Sequence, residues 1–228
     1  MSQTSDTKDV FPKTMGTWID RRLKEGAVGR ELVNSHIMSV YAHPLKIYYL
    51  GSSFRTLGEA DDMVDGFFAS RLQKQGYFDQ WQESGLRLRR WLINGFIFHL
   101  KEEIRRRKRN DGSSLEEGMD VPDTVDPGQA FERAWALSMV QDAWREAAAS
   151  CEEQGLDDHW QLFIRHHVDG LPYRRIVDEF DVTPSQAAVM VRTATGRFKD
   201  AIRLRIILDG VHEDDVDGEL QRLMEIMQ

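Results

Sequence analysis

The hydrophobic positions of this chain recur at three- and four-residue spacing over long stretches, with little of the alternation that marks a strand. Its six prolines are Pro12, Pro44, Pro122, Pro127, Pro172 and Pro184, and the stretches between them carry the helical spacing. The pattern predicts helices over Thr17–Lys24, Gly29–Leu50, Leu57–Lys74 and Leu86–Arg109, and again over Ala130–Gln154, Asp157–Val168, Tyr173–Phe180 and Ser185–Leu208. A last amphipathic turn or two begins near Asp214. The expected fold class is all-α. Periodicity stops between Asn110 and Gln129, where Asp111-Gly-Ser-Ser114 is followed by Gly118, Pro122, Pro127 and Gly128 among acidic residues, the signature of a flexible linker. The expected organisation is an N-terminal extension with a short helix (1–28), a helical domain (29–109), the linker (110–129), a second helical domain (130–208) and an acidic tail (209–228).

With 228 residues, 41% hydrophobic and 30% charged, the chain is long enough to bury one or two ordinary cores. Cys151 is the single cysteine, which excludes a disulfide framework and a cysteine-built metal site. No apolar run approaches the roughly 20 residues that span a bilayer, and none near Met1 resembles a signal segment, so a cytoplasmic chain without membrane contact is expected. No phosphate-binding glycine loop, metal-spaced set or nucleophile-centred motif is present, and the adjacent His166 and His167 must point to different faces. The expectation is a protein that is not an enzyme and needs no cofactor or metal. Its formal charge of -8 argues at first against nucleic acid.

The strongest local signal runs from Leu171 to Arg205. Pro172 suits a helix start, and Ile176, Val177 and Phe180 share one face before a short turn. Thr183 is a natural N-cap for a second helix with Pro184 at its first position. Two helices joined in this way outline a helix-turn-helix, whose second helix enters the major groove. Its leading exposed positions are Ser185, Gln186, Ala188 and Val189, followed by Arg192 and Thr193. Glutamine can pair with adenine, arginine with guanine or phosphate, and small apolar groups with thymine methyls. Between Pro172 and Leu208 the net charge is +3, with Arg174, Arg197 and Lys199 among the cations.

In the first half, Asp61, Asp62 and Asp65 lie on the exposed side of a helix whose Met63, Phe67 and Phe68 point inward. An aromatic loop, Tyr77-Phe-Asp-Gln-Trp81, leads to a helix opened by Trp91 and closed by Lys101-Glu-Glu-Ile-Arg-Arg-Arg-Lys-Arg109. An acidic helix, an aromatic loop, a tryptophan-led helix ending in cations, an acidic linker and a C-terminal helix-turn-helix, in that order, resemble the extracytoplasmic-function sigma factors of bacterial RNA polymerase. The likeness is greatest to a group common in planctomycetes, on Thr17-Trp18, Tyr41-Ala-His-Pro-Leu45, Phe67-Phe68 and Phe131-Glu-Arg-Ala-Trp-Ala-Leu137. It covers nearly the whole chain.

The resemblance implies two domains, a sigma-2 helical bundle and a sigma-4 helix-turn-helix, acting as a polymerase subunit. Its partners are the polymerase core, through the beta-prime clamp and the beta flap, and promoter DNA. Asp61 and Asp62 match the family's acidic pair for the clamp, with Asp65 where glutamine is usual. The first domain reads and melts the minus-ten element, for which the segment 77–88 offers Tyr77, Phe78, Trp81, Gln82, Ser84 and Arg87, with Arg89 and Arg90 beside it. On the next helix, His99 and Lys101 fall on the side expected to face DNA, while Trp91 matches a core position. Phe98 and Glu102 stand where the family often has asparagine and aspartate. The cluster Arg105, Arg106, Arg107, Lys108 and Arg109 is placed to neutralise duplex phosphates. The second domain matches the part that reads the minus-thirty-five element, with Arg197 and Lys199 at basic positions and Thr193 and Thr195 where cations are usual.

Charge placed along the chain supports this reading. The linker residues 111–129 and the tail 209–228 each carry a net -6, which leaves the remainder at +4. In the tail, Val216, Leu220, Leu223, Met224 and Met227 repeat at helical spacing, so the tail is expected to fold back on a basic domain or to offer a docking helix. An anti-sigma factor or a kinase is a candidate regulator. The main rival is a stand-alone helix-turn-helix regulator, and a second is an inactive adaptor that binds clamp or regulator without melting DNA.

Overall fold

A computed structural model describes residues 17–74, 76–110 and 127–228. Among these residues the chain is built of helices with no strand. The first half contains α1 (Trp18–Leu23), α2 (Ala27–Gly51), α3 (Ala60–Arg71), α4 (Tyr77–Ser84) and α5 (Leu88–Asn110). The second contains α6 (Pro127–Glu153), α7 (Asp157–His167), α8 (Tyr173–Ile176), α9 (Pro184–Leu208) and α10 (Val216–Met227). Single 3-10 turns occupy Ser53–Leu57, Val177–Glu179 and Glu213–Asp215. Residues 1–16 and 111–126, which hold most of the expected extension and linker, lie outside the described residues.

The helix ends follow local chemistry. Thr17 caps α1 in a reciprocal box with Asp20, and Thr183 caps α9 in the same way with Gln186. Several boundaries differ from expectation, among them that of α6, which begins at Pro127 inside the expected linker. The helix expected over Leu57–Lys74 begins only at Ala60, because Gly58, at φ 146°, breaks the chain between a 3-10 turn and α3. The helix expected over Tyr173–Phe180 is α8 followed by a 3-10 turn, and it ends before Asp181, whose φ is +50°. The segment 77–88, expected as a loop, contains α4, because Tyr77, Phe78 and Trp81 fall on one helical face and all three are buried.

Both halves contribute to one continuous hydrophobic core. In the first half Phe67 stacks edge-on with Phe96 at 5.3 Å between ring centroids, and Tyr48 meets Phe96 at 6.3 Å. In the second, Trp144, Trp160, Phe163 and Phe198 form an aromatic cluster joining α6, α7 and α9. The halves meet along α2 and α6, the most extensive helix pair in the molecule, where Tyr41 stacks on Phe131 at 6.4 Å. The two helical units expected from sequence are thus packed against each other. The tail folds back as α10 onto α6 and α9, burying Val216 and Leu223.

No helix among the described residues is long and apolar enough to cross a membrane.

Candidate nucleic-acid interface

A cavity of about 270 Å³ opens between the end of α3, α4 and the first turns of α5. Arg71 and Lys74 come from the end of α3 and the turn after it, Tyr77 and Gln80 from α4, and Leu86 from the loop that follows. Trp91, Asn94, Gly95 and Phe98 come from α5, at the i, i+3, i+4, i+7 spacing that lines up one helical face. Three polar atoms of these residues, Arg71 Nε, Tyr77 Oη and Trp91 Nε1, are buried without a hydrogen-bond partner. The Tyr77 hydroxyl and Trp91 indole face one another without meeting hydrogen-bond geometry. Burial holds the Tyr77 phenol well above its ordinary range, so it stays protonated and able to donate. Arg71 also pairs with Glu102 and lies over the Phe98 ring at 5.3 Å.

An aromatic-walled cavity with cationic side chains among its lining residues suits a flat ligand such as an unstacked base. Phe98, which departs from the resemblance, here gives the cavity an exposed aromatic wall.

Several residues expected at such an interface serve the fold instead. Phe78 and Trp81 are core residues, and Trp81 Nε1 donates to the Leu86 carbonyl at 2.8 Å. Gln82 donates to Asp20 and so ties α4 to α1. Ser84 Oγ donates to the Trp81 carbonyl at 2.6 Å and accepts from Leu86 N at 3.2 Å, closing the end of α4. His99 is buried against Phe67 at 6.0 Å and within 3.4 Å of Ser70 Oγ, and burial lowers its pKa. It is therefore packed against α3 rather than presented on the surface as expected from sequence. Arg89 is also buried. Its Nε donates to Glu132 at 2.8 Å, its guanidinium lies over the Trp135 ring at 4.4 Å, and it pairs with Glu219 of α10. Arg87 pairs with the same Glu219.

Other expected residues remain on the surface. Arg90, Lys101, Arg105, Arg106, Arg107 and Arg109 are exposed and Lys108 is half-buried, with Arg106 paired to Glu103 at 2.6 Å. Asp61, Asp62 and Asp65 are exposed on α3, and Asp61 pairs with Lys46 of α2.

In the second half, α8, the 3-10 turn and α9 have the helix-turn-helix order, and Ile176, Val177, Ala187 and Val191 are buried between them. Ser185, Val189 and Arg192 are exposed on the leading face of α9, and Ala188 and Thr193 are half-buried. Gln186 is exposed, yet its Oε1 accepts from Thr183 N at 2.8 Å, so reading a base would require it to leave its capping role. Thr193 Oγ1 donates to the Val189 carbonyl at 3.1 Å. Arg174 and Lys199 are exposed, and Arg197 donates to Gln154.

Sequence reasoning missed Arg71, Lys74, Gln80, Asn94 and Phe98 as cavity residues. The signal was present in the helical spacing of Trp91, Asn94 and Phe98, but it becomes readable only once 77–84 is known to be a helix facing them. Among the described residues no group of acidic, histidine or cysteine side chains could hold a metal, and Cys151 is buried and free. Comparison with protein-family models, with characterised proteins and with solved structures finds no match to this chain.

Proposed function

We propose that this chain is a sigma factor of the extracytoplasmic-function type, which binds the bacterial polymerase core and directs initiation by reading a minus-thirty-five element with α9 and melting a minus-ten element beside α5. The observation that carries this reading is the aromatic-walled cavity between α3, α4 and α5, with Arg71 and Lys74 among its lining residues. A duplex-binding regulator has no need to hold an unstacked base, whereas a subunit that opens promoter DNA does. The exposed leading face of α9 supplies duplex reading in the same chain. The acidic face of α3 is the clamp contact in this reading, and the segment 111–126 between α5 and α6 connects a sigma-2 unit to a sigma-4 unit that also meets the beta flap. Acting on the chromosome with polymerase, such a subunit works in the cytoplasm, under an anti-sigma factor or a kinase as candidate regulators.

Run-off transcription with purified bacterial core polymerase and a library of promoter fragments tests the proposal. Specific initiation is expected, and replacing Asp61 and Asp62 by asparagine should weaken core binding about tenfold or more, with a stability loss of no more than about 1 kcal/mol per site from the Lys46 pair and the start of α3. Absence of specific initiation overturns the reading. Tight duplex binding without core would favour the stand-alone regulator, which the exposed helix-turn-helix also fits.

A further inference from the structure

Among the described residues the most heavily buried acid is Glu219, with no exposed surface, on a helix whose Asp217, Arg222 and Glu225 all face solvent. A carboxylate is costly to bury unless it is paired. Its partners are Arg87 and Arg89, which belong to the first half, whereas α10 itself packs on α6 and α9 of the second. Glu219 therefore ties the two halves together. Arg87 and Arg89 lie between Leu86 and Trp91, two residues of the cavity wall, in the segment that the sequence assigns to the melted strand.

We propose that α10 is an intramolecular clasp: its Glu219 carboxylate fills a two-arginine cradle that a phosphate of a single nucleic-acid strand otherwise takes, so that closure and strand binding exclude one another. The proposal rests on the reading of the chain as a promoter-binding subunit. Carboxylate and phosphate present the same paired acceptors to guanidinium groups, and a strand adds the release of condensed counterions that a single glutamate cannot match. The cradle is reachable only by opening, because Arg89 is 4% exposed and is also held by Glu132 and Trp135. α10 is a single helix of 12 residues docked by one apolar face. Of its apolar side chains Val216 and Leu223 are buried, Leu220, Ile226 and Met227 are partly buried against the core and Met224 points outward, and a second ion pair, Arg203 to Asp217 at 2.6 Å, is on the surface. A ligand that binds only the open chain then shifts the balance by mass action.

The test uses the 228-residue chain as wild type, Glu219→Gln and Glu225→Gln, the last removing the same charge from an exposed position of α10. Binding of a fluorescent single-stranded oligonucleotide is measured at fixed salt, and amide hydrogen exchange is followed on α10 and α7. Glu219→Gln is expected to bind about fivefold tighter or more than wild type and to lose protection on α10 but not α7, with less than about a twofold gain for Glu225→Gln. Oligonucleotide added to wild type is expected to lower protection on α10, a measurement that needs no variant and decides the matter if Glu219→Gln does not fold. Equal gains for the two variants, or α10 protection in wild type that is unchanged at saturating oligonucleotide, overturn the clasp. Failure of promoter-specific transcription alongside the expected exchange result would sink the sigma reading while leaving the competition between Glu219 and the strand standing.

Discussion

A methyl group on Gly29 would stand 1.8 Å from the Arg22 carbonyl oxygen, so the corner between α1 and α2 admits only glycine. Gly29→Ala should cost about 1–3 kcal/mol, read as a lower denaturant midpoint, because backbone rather than a flexible side chain must yield. Gly210 is constrained twice, by φ +82° and by Trp81 and Ile19 at 3.1 and 3.2 Å from where its Cβ would lie. In the cavity, Tyr77→Phe removes a hydroxyl that has no partner, so thermal stability should hold or rise slightly. If that hydroxyl reads a base, open-complex formation should fall about tenfold, and an unchanged rate would deny it that role. Asp209 behaves differently. Burial raises its carboxyl from 3.8 to about 7, while it accepts a hydrogen bond from Tyr41 of α2 and faces Arg89 of α5 and Glu132 of α6. The folded chain then binds more protons than the unfolded one between those two values, so the contribution of Asp209 to stability is full at acid pH and is lost as pH rises through about 7. Relative to wild type, Asp209→Asn should gain stability on going from pH 5 to pH 8, at a slope no steeper than about 1.4 kcal/mol per pH unit. A constant difference across that range would refute it.

Among the elements, α9 was readable and α4 was not. Thr183 and Pro184 mark the start of α9, and the capping box forms there as their chemistry requires. Thr183→Ala should lower stability by about 1 kcal/mol in thermal melts, because the Gln186 backbone N–H loses its acceptor. By contrast, α4 is eight residues bounded by Gly76 and Gly85, both left-handed, which read as loop punctuation in sequence. Its aromatic residues could stack on bases or fill a core with equal chemical ease. Packing against Ile19 and Gly210 chose the core for Trp81. On α5 the core stripe of Leu92, Phe96 and Leu100 was legible from spacing, but the adjacent stripe of Trp91, Asn94 and Phe98 has no meaning without the helix that faces it.

At the scale of the whole molecule, α2 and α6 join what the sequence presents as two units, and α10 holds the joint with charges from both. In the proposed role, α9 and the cavity beside α5 must reach promoter elements separated by roughly two turns of duplex, while both halves share one core. On the proposed function, core polymerase should shift the chain toward a form in which the halves part, read as lost amide protection along α2 and α6 when core is added. Binding to DNA in the open form should fall steeply with salt, since Arg90, Lys101 and the cations of 105–109 are on the surface.

Helix content, the helix-turn-helix and the placement of acid in 111–129 and 209–228 follow from the sequence by itself, because caps, spacing and charge act within a few residues of one another. The joining of the halves, the burial of Arg89, His99 and Trp81, and the cavity between α3, α4 and α5 were decided by tertiary structure. Each depends on which helices meet, and an arginine reads the same in sequence whether it faces a phosphate or, as at Arg89, a carboxylate 130 residues away.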